Sequence, residues 1–333
     1  MKRRDFVSAA AAATLAGNAP AQSGSVVWNM PHAAAPSYYL ITNLNAFAAK
    51  VKEKSAGRME IRLHPASSLY PGPEMLPAVL DGRAEIAPII SPYLTDVLLE
   101  TGVLELPFMT QTPDEHRKAL EALRPFITEM AGKRGLKLLA TYAWPSQQLF
   151  SSQPVRTIAD WKGRKFRVTG AETSDFTKLV GGAPVAMAFG EVYTSLQRGV
   201  IDGAITSATN AEPMKFFEVS KFLNYWYFSG AASELLVVNQ RAWDKLSPEL
   251  QKVVTEAVAE VKLEDRQWAD LKSLDDKARE RVTALGMTVV DPLPDELVKA
   301  RQMARRGWDQ WLKRTGDNGK RAMDIALKSV GRT

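Results

Sequence analysis

The stretch Trp161-Lys162-Gly163-Arg164-Lys165-Phe166-Arg167-Val168 is followed by Gly182-Ala183-Pro184-Val185-Ala186-Met187-Ala188-Phe189-Gly190-Glu191-Val192-Tyr193 and then by Leu196-Gln197-Arg198-Gly199-Val200-Ile201-Asp202-Gly203. Residues 164–168 alternate as a strand does, with Phe166 and Val168 on one face and Lys165 and Arg167 on the other. A helix over 173–180, a strand over 184–187, a helix over 191–197, a strand over 204–207 and a helix over 210–219 continue the pattern. Strands separated by helices predict an α/β layer with a partly parallel sheet.

The first half repeats this grammar. Val26-Val27-Trp28-Asn29-Met30 reads as a strand. Leu40, Leu44, Phe47, Ala48 and Val51 then share a helical face, Gly57 sits at the expected helix end, and Met59, Ile61 and Leu63 alternate. Strand, helix and strand form a βαβ unit. Pro71-Gly72-Pro73-Glu74 opens another helix that turns at Asp81-Gly82, before a strand over 86–90 ending at Ser91-Pro92-Tyr93. A helix over 113–130 carries Asp114 and Glu115 in its first turn, where they suit the dipole. After a strand over 136–142 the chain leaves the first domain at Trp144-Pro145-Ser146.

Beyond Tyr225-Trp226-Tyr227-Phe228, a strand over 235–238 precedes Ser247-Pro248-Glu249, a capped helix start. Apolar positions then recur from Leu250 through Val254, Val258, Trp268, Leu271, Ala278 and Val282 with no glycine or proline. Unbroken from Pro248 to Leu285, that helix would be about 55 Å long and could cross two domains. Its apolar face slips at Glu264-Asp265, the expected point of passage between domains.

With 333 residues, two domains are expected. The absence of cysteine excludes disulfide scaffolds and thiolate-bound zinc or iron–sulfur centres, and His32, His64 and His116 are too scattered to predict a metal site. Met1 to Ala21 reads as an export signal, with Lys2, Arg3 and Arg4, an apolar stretch from Phe6 to Leu15, and Ala19-Pro20-Ala21 as cleavage site. Arg3-Arg4-Asp5-Phe6-Val7 resembles the twin-arginine export pattern, with a Sec signal as the alternative. Loss of this segment lowers the formal charge from +6 to +4, too little to argue for nucleic acid. No apolar run approaches the roughly 20 residues that span a bilayer. The expectation is a freely diffusing, monomeric periplasmic protein. No G-x-S-x-G elbow, phosphate loop, dinucleotide fingerprint or H-E-x-x-H pair is present, so neither an enzyme nor a cofactor is expected.

The three blocks around Arg167 resemble the DctP-type substrate-binding proteins of tripartite ATP-independent periplasmic (TRAP) transporters. Lys52-Glu53-Lys54-Ser55-Ala56-Gly57-Arg58, Leu80-Asp81-Gly82, Leu106-Pro107-Phe108 and Lys221-Phe222 agree with the same family. The resemblance implies a two-lobed, type II-like periplasmic binding protein fold with hinge strands and a long helix spanning both lobes. Lobe 1 is expected over 22–144 plus about 232–264, and lobe 2 over 145–231 plus about 265–333. It further implies delivery of an organic acid to the small and large membrane subunits of a TRAP permease. A binding protein of an ATP-driven importer and an exported enzyme are the competing readings.

The resemblance also implies that an arginine at the position of Arg167 grips the ligand carboxylate. A guanidinium meets both carboxylate oxygens with a planar fork, which lysine cannot do. The sialic-acid branch has a second arginine where this chain has Gln147 or Gln148, and an asparagine where it has Thr206. Those departures argue for a monocarboxylate, of 2-hydroxy, 2-oxo or aromatic type. Phe189 packs on the ligand or in the core. Trp144 and Trp226 form an apolar wall or ordinary core. His32, Ser91 and Tyr93 follow strand ends, where open α/β sheets bind ligands, and Asn210 is a helix N-cap or a ligand contact.

Overall fold

The computed structural model describes residues 25–95 and 97–332, so the expected export signal over 1–21 lies outside the described residues. The chain enters as β1 (Val26–Pro31), α1 (Tyr39–Lys54) and β2 (Met59–His64), with the two strands parallel. Gly57 has φ +78°, and its N–H closes on the carbonyl of Lys52 at 2.9 Å, ending α1 where the sequence predicts. There follow α2 (Gly72–Asp81), β3 (Ile86–Ile90), α3 (Pro113–Gly132) and β4 (Leu136–Trp144). The N–H of Glu115 donates to the Thr112 hydroxyl, which caps α3.

The second lobe contains β5 (Gln147–Ser151), β6 (Lys165–Val168), α4 (Ala171–Leu179), β7 (Ala183–Ala186), α5 (Val192–Gln197), β8 (Gly203–Ser207), α6 (Phe216–Val219) and β9 (Phe222–Ser229). The chain then returns to lobe 1 as β10 (Ala232–Asn239), α7 (Gln240–Asp244) and α8 (Pro248–Glu260). It finishes with α9 (Leu263–Ala284), β11 (Thr288–Val290) and α10 (Pro294–Ser329). Lobe 1 is built on the β1-β2 pair and a three-stranded antiparallel sheet, β3-β10-β4. Lobe 2 is built on a six-stranded sheet, β11-β9-β5-β8-β6-β7, in which β7, β6 and β8 run parallel.

Two short links, Pro145-Ser146 and Gly230-Ala231, join the lobes. A Cβ at Gly230 would lie 2.1 Å from the Thr112 carbonyl oxygen, so only glycine fits at this crossing. Helix α9 is the third tie. Near its start Asn43 of α1 donates to Gln267 and Asp270, and near its end Arg281 pairs with Glu212.

Three expectations are corrected. The helix expected from Pro248 to Leu285 breaks at Lys262, whose φ of 50° and ψ of 47° are left-handed; α8 packs within lobe 1 and only the α9 part crosses, so this spanning helix is shorter than supposed. The helix expected over 210–219 shrinks to α6, preceded by a 3-10 turn at Ala208–Asn210. The last helix, α10, was not anticipated, although Pro294, Asp295 and Glu296 form a standard helix start. It also divides residues expected in lobe 2. Ala300 and Ala304 join the lobe 2 core, while Trp308, Trp311, Ala322, Met323 and Ala326 join that of lobe 1. Among the described residues no helix is long and apolar enough to cross a membrane.

Candidate functional site

Strand β6 carries Arg167 on the face opposite Phe166, as its alternation predicts. Phe166 enters the lobe 2 core beside Trp161, at 4.7 Å between ring centroids, and Arg167 faces lobe 1. The guanidinium is 2% exposed. Its Nη1 donates to the Thr169 hydroxyl at 3.1 Å and to the Ile205 carbonyl at 3.2 Å, and its Nε reaches the Met187 carbonyl at 3.4 Å. Nη2 has only a long contact, 3.5 Å, to the Tyr93 hydroxyl of lobe 1. Burial pulls the Arg167 pKa below its ordinary value, with Tyr93 opposing. An arginine keeps its charge under any such pull.

Among the described residues no carboxylate lies within ion-pair distance of Arg167. A buried cation without an anion is costly unless a partner arrives. This one faces a cavity of about 40 Å³ lined by Ala33, Ile90, Tyr93 and Trp144 from lobe 1 and Gln147, Arg167, Thr169, Phe189, Thr206 and Asn210 from lobe 2. Such a volume corresponds to a few water positions. The Arg167 guanidinium lies 5.8 Å from the Phe189 ring centroid, and Phe189 meets Trp144 edge-on across the cleft at 6.3 Å.

The lobes are closed on each other around this cavity. The hydroxyls of Tyr38, at the N-terminus of α1, and Thr209, after β8, hydrogen-bond at 2.7 Å. A Cβ on Gly170, at the start of α4, would lie 2.9 Å from the Pro92 side chain. At the link between β4 and β5 the Ser146 hydroxyl meets both oxygens of Asp275 on α9 at 2.7 and 2.9 Å. Burial raises the Asp275 pKa, and that hydrogen bond opposes the rise.

Larger grooves lie elsewhere, one of about 450 Å³ beside Arg117, Arg124 and Glu264 and one of about 570 Å³ along α9. In the first both arginines are already paired, Arg117 with Asp265 and Arg124 with Glu264. Size alone therefore does not locate the site; the buried cation without a counter-ion does.

Of the residues singled out in the sequence, the structure brings seven to the cavity: Tyr93, Trp144, Gln147, Arg167, Phe189, Thr206 and Asn210. Asn210 is not the N-cap of the turn at Ala208–Asn210, which is Ser207; its amide donates to the Thr206 hydroxyl at 3.0 Å. Three are placed elsewhere. Trp226 is fully buried in the lobe 2 core and donates to the Val155 carbonyl, because both faces of that sheet are covered. Ser91 is turned away, its hydroxyl on the Thr101 carbonyl. His32 stands behind Trp144, stacked at 6.0 Å, with its Nδ1 accepting the Ala34 N–H. Gln148 is structural: its side-chain oxygen accepts the Tyr227 N–H. Sequence reasoning missed Thr169, which steers Arg167, and the Tyr38–Thr209 contact. Two residues beyond Arg167, Thr169 was readable only once the strand end was known.

Among the described residues no group of three acidic or histidine side chains could hold a metal ion.

Residues 30–315 match the family model described as bacterial extracellular solute-binding protein, family 7 (DctP). The chain is 29% identical over 239 residues to the C4-dicarboxylate-binding protein DctB of Bacillus subtilis, covering 71% of this chain and 68% of that protein. It superposes with a TM-score of 0.85 on the Bordetella pertussis extracytoplasmic solute receptor DctP6, which binds pyroglutamic acid, at 28% identity over 91% of this chain and all of that one. A marine metagenome TRAP solute-binding protein specific for pyroglutamate also gives a TM-score of 0.85, at 26% identity over 92% of this chain and 99% of that one.

Proposed function

The chain belongs to family 7 of the bacterial extracellular solute-binding proteins, and from that premise we propose that it captures a small monocarboxylate for a TRAP importer. The family comprises substrate-binding receptors, so the protein is a carrier and not an enzyme. The observation that carries the ligand class is Arg167, one buried cation at the seam of two lobes with no carboxylate of its own among the described residues. Among the described residues no second cation, which a dicarboxylate would call for, lines the cavity. A carboxylate supplies the missing charge and meets the free Nη2 edge, giving direction as well as attraction.

Capture is reversible. An open form admits the acid, Arg167 of lobe 2 fixes its carboxylate, and Trp144 and Tyr93 of lobe 1 complete the enclosure. Contacts from both lobes favour closure only when the ligand is present. The closed form then docks on the two membrane subunits of the permease in the periplasm, and no bond is made or broken. Pyroglutamate is the first acid to test, since two relatives of the same fold bind it. Thermal-shift screening of pyroglutamate, lactate, pyruvate and benzoate checks the reading. A ligand at about 100 times its Kd stabilises the folded state by roughly 2.7 kcal/mol. A shift with at least one monocarboxylate is expected; shifts produced only by ligands without a carboxylate would overturn it.

A further inference from the structure

Behind the cavity wall lies a carboxylate that the capture mechanism does not use. Glu234 is the third residue of β10, opposite Ile90 of β3 and Tyr142 of β4, and is 2% exposed. It is followed along the strand by Leu235, Leu236, Val237 and Val238, and an apolar residue at this position would be the ordinary choice. The indole N–H of Trp144 donates to Glu234 Oε1 at 3.0 Å. The same oxygen lies 3.5 Å from His32 Nε2; because His32 Nδ1 accepts the Ala34 N–H, the proton of the ring belongs on Nε2. Among the described residues the other oxygen, Oε2, has no hydrogen-bond partner, nor does the Tyr142 hydroxyl. A half-satisfied buried carboxylate is costly and calls for an explanation.

Its one good hydrogen bond goes to the aromatic side chain that walls the cavity. The indole is also held by Tyr38, stacked at 5.2 Å and 25°, and by His32, stacked at 6.0 Å and 24°. Its remaining neighbour, Phe189, comes from the opposite lobe. On lobe 1 the indole therefore has one directional hydrogen bond and two stacking contacts; the stacking partners hold its plane, and the hydrogen bond fixes the direction of its N–H edge within that plane.

We infer that Glu234 is a positioning residue that locks Trp144 as a rigid wall, so that the site takes compact monocarboxylates and rejects those larger by a methylene group. This inference rests on the proposed carboxylate site. A rigid pocket discriminates a single methylene by about tenfold or more, whereas an indole free to swing gives way.

The test uses the full chain with Glu234→Leu, Glu234→Gln and Trp144→Phe, and two acids, pyroglutamate and its ring-enlarged homologue 6-oxopiperidine-2-carboxylate. Calorimetry reads the ratio of the two dissociation constants, and NMR reads the Trp144 indole N–H resonance, identified by its loss in Trp144→Phe. In the unaltered protein the ratio is expected to be about tenfold or more in favour of pyroglutamate. Glu234→Leu is expected to move the indole resonance and cut the ratio to about threefold or less, while Glu234→Gln, which still offers an oxygen, keeps both near their original values. In Trp144→Phe, adding Glu234→Leu is expected to leave the ratio unchanged, because phenylalanine has no N–H to tether. An unchanged ratio in Glu234→Leu, or equal weakening for both acids, would overturn the inference and leave the carboxylate reading intact. If the unaltered protein binds both acids equally while Glu234→Leu still moves the indole resonance, the tether stands and the size selection is refuted. Should Glu234→Leu fail to fold, the comparison of Glu234→Gln with Trp144→Phe decides: a resonance and ratio in Glu234→Gln resembling those of the Leu prediction would contradict the tether.

Discussion

The two walls of the cleft are built from different chemistry. Lobe 1 contributes Ala33, Ile90, Tyr93 and Trp144, an apolar and aromatic surface with a single hydroxyl. Lobe 2 contributes the charge of Arg167 and the polar ends of Gln147, Thr169, Thr206 and Asn210, with Phe189 as its one aromatic. The cation is held entirely by lobe 2, through Met187, Thr169 and Ile205, and touches lobe 1 only at Tyr93. In the proposed mechanism, recognition of charge and enclosure of the remainder of the ligand fall to separate bodies. An open protein can hold a carboxylate on lobe 2 before lobe 1 arrives, and lobe 1 then decides what else fits.

That division predicts a graded series. Arg167→Ala removes the anchor and should weaken acid binding at least about a hundredfold, since loss of one partner of a buried ion pair costs several kcal/mol; the melting temperature without ligand should fall little, and calorimetry beside a melt reads both. Trp144→Ala strips lobe 1 of its wall and should weaken binding by about tenfold, measured in the same titration. An effect as large as that of Arg167→Ala would erase the distinction between the lobes. Tyr38→Phe deletes only the hydroxyl that reaches Thr209, and a single hydrogen bond of about 1 kcal/mol corresponds to roughly fivefold in affinity. Because the hydroxyl exists as a contact only when the lobes are closed, the loss should appear as faster ligand release.

The smallest effect on binding is expected outside both walls. Burial pushes the Glu105 carboxyl up to about 8, opposed by the Ser233 N–H it accepts and reinforced by the Glu172 carboxylate. The folded protein thus keeps a proton that the unfolded chain has already lost. Stability from this group is complete below the unfolded value, near pH 4.5, and drains as pH rises toward about 8. His116, which burial holds neutral down to about 3, works in the opposite sense but only below its ordinary value of 6.5. Between about pH 7 and pH 8 the decline, about 1 kcal/mol, should therefore belong to Glu105. Glu105→Gln should abolish it in denaturant melts and leave acid affinity unchanged. A change in affinity would show that this buried acid takes part in closure.

Much of this arrangement was legible from residue patterns. Alternation in Lys165–Val168 separated Arg167 from Phe166, and the likeness of the surrounding blocks suggested the roles proposed for Arg167 and Phe189, both of which line the cavity. Alternation misled where a sheet is covered on both faces: in β9, Tyr225 and Trp226 point to opposite sides and both are buried, so an aromatic run does not mark a cleft. His32 and Ser91 follow strand ends as ligand residues often do, but each turned to a local acceptor or donor that no periodicity reveals. The break at Lys262 is a single left-handed residue of a type that usually continues a helix, and only the slip of the apolar face hinted at it. Glu234 was invisible for a further reason: its meaning lies in a contact with Trp144, 90 residues away in the chain.

The central claim is that one guanidinium on lobe 2 selects a carboxylate. It is tested most directly by titrating the protein with pyroglutamate and with the matching carboxamide, which keeps the ring and removes the charge. The acid should bind and the amide should bind at least about a hundredfold more weakly. An amide that binds as tightly as the acid would contradict the assignment of Arg167.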